Sequence, residues 1–148
     1  MNKENTWEEC IESSAALKVT PNRSKINSLM DTAAGRVQFV AETRITESNA
    51  NYIFENYYSS VLELMHAIIL LHGYKVSNHI CLGYYLRDIL QKQNLFRLFD
   101  DCRFKRNSLV YYGRKMDLET AKFGIEKSKQ LIAELNHLLK QELGQNSL

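Results

Sequence analysis

Apolar residues recur at steps of three and four along most of the chain, the period of helices that bury one face. Between Pro21 and Thr46 they fall at Ile26, Leu29, Met30, Ala33, Val37, Val40 and Ala41. From about Asn51 to His72 the apolar set of Phe54, Tyr57, Tyr58, Val61, Leu62, Met65, Ile68 and Ile69 is wide enough to predict the central helix of a core. A last stripe, Leu118, Ala121, Ile125, Ile132, Leu135 and Leu139, predicts a helix out to about Leu143. Less regular helical segments are predicted near Glu4 to Leu17, from Ser77 to about Gln91, and from about Asn94 to Gly113.

Punctuation sets the boundaries. Thr20 followed by Pro21 reads as an N-cap with proline in the first helical position. Gly73 closes the central helix, and Ser77 and Asp117 are N-cap candidates. The expectation is an all-α protein, an antiparallel up-and-down bundle of about five to six helices. Residues 1–20 form an extension with a short helix, 21–143 the bundle and 144–148 a tail.

Composition narrows this further. The chain of 148 residues is 45% hydrophobic and 24% charged, the balance of one globular domain. Six glycines and one proline are too few for the turns of a sandwich or barrel. The longest unbroken apolar run, Ala67–Leu71, falls far short of a membrane span, and no charged-then-apolar leader is read at the start. A soluble, cytoplasmic protein with no membrane partner is expected. Cys10, Cys81 and Cys102 are odd in number and widely spaced, which favours buried free thiols over a disulfide framework or a zinc site.

The net charge of +2 argues for no nucleic-acid partner by itself. Its distribution changes the picture, because eight basic residues stand against three acids between Arg87 and Lys115.

Two constellations carry candidate chemistry. Glu63-Leu-Met-His66 and Glu134-Leu-Asn-His137 both match the Glu-x-x-His motif of di-iron bundles. On helical wheels, however, Glu134 and His137 point away from the apolar stripe of their helix, and Glu63 and His66 lie opposite Val61, Leu64 and Ile68. Solvated helical pairs are therefore expected, with no metal and no other cofactor.

The second is the segment Leu95 to Arg114. Its stripe runs Leu95, Phe99, Cys102, Leu109 and Val110, with Arg106 close to the stripe's centre. A guanidinium cannot shed its proton, so there it must snorkel, pair with a carboxylate, or face a cleft or subunit interface. In the functional reading Arg103, Lys105, Arg106 and Arg114 supply charge, while Tyr111 and Tyr112 supply stacking surfaces, a combination suited to RNA or a nucleotide.

Here the sequence resembles the HEPN domains, small helical proteins whose signature is an arginine, an adjoining polar residue and a histidine four to six positions on. Arg106-Asn107-Ser108-Leu109-Val110 fits and is followed by Tyr111. The likeness extends through Asn56-Tyr57-Tyr58, His72-Gly73-Tyr74, His79 and the helix begun by Asp117.

The resemblance implies a homodimeric helical bundle whose two arginine motifs meet in a cleft that binds RNA and in active members cuts it. Many such proteins are the toxin half of a toxin and antitoxin pair, beside a small nucleotidyltransferase. Carried over, Arg106 contacts the scissile phosphate and Asn107 is the adjoining polar residue. Tyr111 stands where the family has histidine. A phenol titrating near 10 is a weak base at neutral pH, so binding with weak or absent cleavage is expected. Two rival readings stay open: a protein-interaction module in which Arg106 locks a partner, and an active metal-independent endoribonuclease in which Tyr111 replaces the histidine.

Overall fold

The computed structural model describes residues 4–111 and 115–145. In chain order they form α1 (Trp7–Glu12), β1 (Ala16–Lys18), α2 (Arg23–Ala41), α3 (Ala50–Leu71), β2 (Tyr74–Val76), α4 (His79–Tyr84), α5 (Gln93–Tyr111) and α6 (Leu118–Gln145). α4 runs directly into a π-helical turn, Tyr85–Ile89. The protein is mostly helical, as the apolar period requires. Among the described residues no helix is long and apolar enough to cross a membrane.

α3 is the central element. It packs against α2 on one side and α6 on another, and α5 lies against α6. α2 and α3 run antiparallel, with Lys25 beside His66 toward one end and Arg36 beside Asn56 toward the other. Phe54, Tyr58, Val61, Leu64, Met65 and Ile68 of α3 are almost wholly removed from water. α6 approaches this helix closely at Gly124, where a Cβ would stand 2.6 Å from the Phe54 ring. Phe54, Tyr58 and Phe99 stack in a column, with ring centroids 6.1 and 6.2 Å apart.

Capping explains where the helices begin. Asp117 Oδ1 accepts from the Thr120 N–H at 2.8 Å, the N-cap expected for α6. Gly73 closes α3 with a φ of 89°, which suits glycine best. Two predicted starts shift. α2 is capped by Asn22, whose Oδ1 accepts from Lys25 N–H at 3.0 Å, because the chain before it stays extended and Val19 N–H bonds Gly73 O at 2.9 Å. α4 is capped by Asn78, because Ser77 instead gives its N–H and hydroxyl to Ala15 O at 2.9 and 3.2 Å.

Two expectations are corrected. The segment predicted as one helix from Glu4 to Leu17 is helical only to Glu12, turns at Ser14 with a φ of 65°, and continues as β1. β1 pairs antiparallel with β2, Ala16 opposite Val76 and Lys18 opposite Tyr74. Strands of three residues are too short to show an alternating pattern. Cys10 and Cys81, expected as free thiols, form a disulfide. Packing of α1 on α4 brings together residues that are 71 apart in sequence. Cys102 is free and buried, as expected.

A polar chain ties three elements at the far end of α3. The Tyr85 hydroxyl hydrogen-bonds His72 Nδ1, and His72 Nε2 meets Glu142 Oε2 at 2.5 Å. Trp7 of α1 packs edge-on against Tyr85 at 4.8 Å.

Candidate functional site

α5 presents Leu95, Phe99 and Cys102 to the core at steps of four and three, and Arg106 is the next position of that stripe. The helix there passes the first half of α3, where the apolar wall gives way to Tyr52, Glu55, Asn56 and Ser59. Arg106 is half-buried against a cleft of about 300 Å³ formed by those residues and Arg36 of α2. It makes no hydrogen bond or ion pair with any described residue. The side chain thus neither snorkels away from the fold nor serves as an internal ion-pair lock.

Two guanidinium groups and the Glu55 carboxylate line the cleft. Arg36 is held by Glu63, its Nε donating to Oε1 at 2.7 Å. Asn56 Nδ2 donates to Tyr52 O at 3.0 Å, and the Tyr52 ring is 67% exposed at the rim, available for stacking.

The field of Arg106 also reaches inward. Tyr58 Oη lies 3.3 Å from His79 Nδ1 at the start of α4. Burial, reinforced by the charge of Arg106, lowers the His79 imidazole to about 4, so it is neutral at pH 7. Burial raises the Tyr58 phenol well above its usual value, against the opposing pull of Arg106 and Arg103.

Two other basic residues of α5, Arg103 and Lys105, are already engaged. Arg103 donates to Asp100 Oδ1 through Nε at 3.1 Å and Nη2 at 2.8 Å. Lys105 pairs with Asp101, which also takes Lys127 of α6, so Lys105 sits on the α6 side of α5. Asn107 is half-buried and makes no side-chain hydrogen bond with a described residue. Tyr112 and Arg114 lie outside the described residues, as do the side chains of Val110 and Tyr111.

The two Glu-x-x-His motifs are kept apart. Glu134 and His137 are exposed on α6, as the wheel predicts. Glu63 and His66 are part-buried between α2 and α3, not the fully solvated pair expected. The Glu63 side chain is only 15% exposed, its Oε2 is buried without a hydrogen-bond partner, and His66 lines a cavity between α2 and α3. α3 is covered by α2 on this face, which a wheel drawn for one helix cannot register. Among the described residues no three His, Cys, Asp or Glu side chains cluster closely enough to hold a metal ion.

Sequence reasoning placed Arg106 at an anomalous position but missed Arg36, Tyr52, Glu55 and Ser59 as its neighbours. The available signal was the polar line Tyr52, Asn56, Ser59 and Glu63, spaced by four, three and four, along an otherwise apolar helix. The chain matches no protein-family model, no curated protein and no solved structure.

Proposed function

We propose that the protein is a HEPN-like homodimer that binds RNA or a nucleotide through Arg106. The observation that carries this reading is a guanidinium with no ion pair among the described residues, at a position of an apolar stripe, facing a polar cleft. Arg106 and Arg36 would contact phosphate, and Tyr52 would stack on a base. A second copy of the chain would extend the cleft, bringing its own Arg106 to the other side of the ligand. Tyr111, on the same helix, occupies the position where a histidine would supply acid and base. Cleavage is therefore weak or absent.

A cytoplasmic location is part of this proposal. Since disulfides are uncommon in the cytosol, it carries the expectation that Cys10 and Cys81 spend time there as thiols. In the rival reading, a protein-interaction module, Arg106 would lock the dimer or a small nucleotidyltransferase partner and no nucleic acid would be involved.

The test is fluorescence anisotropy with a labelled single-stranded RNA, alongside sedimentation. Arg106→Ala should weaken binding while leaving the dimer and the helical spectrum intact. Loss of the dimer with unchanged affinity per chain would instead make Arg106 an interface residue.

A further inference from the structure

Between the first half of α2, the second half of α3 and β2 lies a cavity of about 420 Å³, within the size range of small-molecule sites. Leu29, Leu70 and Val76 give it an apolar lining, and the exposed Lys25 and Lys75, His66 and the Tyr74 phenol are its charged or titratable groups. It is distinct from the Arg106 cleft. Along α3, Glu63 lies between Ser59 of that cleft and His66 of this cavity, so the Arg36–Glu63 pair stands between the two.

Three observations fix the chemistry of an occupant. Among the described residues no carboxylate lines the cavity, and neither Lys25 nor Lys75 has an ion pair. The half-buried His66 imidazole makes no hydrogen bond with a described residue, so its ring nitrogens are available to a ligand. Burial, together with the charge of Lys25, lowers its titration, which leaves a neutral ring able to donate one N–H. Apolar walls exclude an inorganic ion as the best fit, and the two ammonium groups disfavour a neutral or cationic guest.

We propose that this cavity binds a small amphipathic carboxylate, with its apolar body against Leu29, Leu70 and Val76 and its anionic end between Lys25, Lys75 and His66. Burial of the body supplies most of the affinity, and the cationic end sets the orientation. The β-ribbon that carries Val76 is paired to β1, so this wall is part of the folded architecture.

Octanoate, octanol, acetate and octylammonium are suitable probes, titrated into the intact protein and followed at the His66 ring resonances, with exposed His137 as the internal control. Octanoate should shift His66 saturably, while each of the other three binds at least tenfold more weakly. Replacing both Lys25→Gln and Lys75→Gln should weaken octanoate about tenfold and leave octanol unchanged. Octanol equal to octanoate would reduce the site to an apolar slot, and acetate equal to octanoate would reduce it to a surface ion site. Either result overturns the proposal, as does an unmoved His66 at millimolar octanoate. Because the four probes are compared on the unsubstituted protein, the outcome stands even if the double variant fails to fold.

Discussion

Arg36 and Glu63, joined through Nε and Oε1 at 2.7 Å, divide the groove between α2 and α3 into a polar cleft and an apolar one. The pair has a second consequence, since the Glu63 carboxylate offsets a charge that would otherwise act fully on a bound phosphate. Glu63→Gln should raise RNA affinity by roughly threefold at low salt. The Arg36 side chain is 40% exposed, so losing the pair should cost only about 1 kcal/mol of stability. Anisotropy and urea unfolding of the same sample measure both.

Phosphate contacts are revealed by salt. For single-stranded RNA the dependence of log affinity on log salt changes by about 0.7 for each phosphate contact. Arg106→Ala should therefore flatten the slope by about that amount per protomer and weaken binding by about 1.5 to 3 kcal/mol. An unchanged slope would remove Arg106 from the phosphate.

Chemistry can be tested separately at Tyr111. The native protein should cut RNA slowly or not at all, and Tyr111→His should show a measurable gain, because an imidazole titrates near neutrality. Rapid native cleavage that disappears in Tyr111→Phe would show instead that the phenol itself is active.

Acid should loosen the fold in a defined window. The His79 imidazole is lowered to about 4 by burial and by Arg106, whereas in the unfolded chain it titrates near 6.5. As pH falls from about 6.5 toward 4, the unfolded chain takes up a proton that the folded chain refuses, so stability drops and then levels. Since His79 is only half-buried and partly screened by solvent, its share is about 1 kcal/mol. His79→Gln, which can still hydrogen-bond Tyr58, should lose correspondingly less stability between pH 7 and pH 4.5 in thermal melts.

Reduction of the Cys10–Cys81 disulfide should destabilise the protein by about 2 to 4 kcal/mol, since a long loop is released into the unfolded ensemble. Urea unfolding with and without dithiothreitol checks this. Cys102, buried and with its thiol raised by burial, should resist alkylation until the chain unfolds.

What the sequence made legible follows from how local each signal is. Gly73 and Asp117 mark helix ends because both act on neighbouring backbone, and the apolar breadth of α3 identifies a central helix without knowledge of its partners. Ser77 misleads because its hydroxyl finds Ala15, a residue 62 positions away. Arg106 was visible as an anomaly within one helix. The rest of its cleft was not, because Arg36 and Tyr52 belong to other helices and meet it only through packing. The same limitation hid the surroundings of Glu63 and His66.

The Cys10–Cys81 bond closes a covalent ring that contains β1, α2, α3 and β2 and leaves α5 and α6 outside it. Pulled by its two ends, the oxidised chain would lengthen only by its residues outside the ring, because tension passes from Cys10 to Cys81 through the sulfur bridge. α5, which bears one side of the Arg106 cleft, would extend together with α6 while the groove between α2 and α3 carried no load. Reduction would then release the 71-residue separation as slack, roughly 250 Å of extra contour at about 3.5 Å per residue. The bond thus decides which part of the protein can bear force.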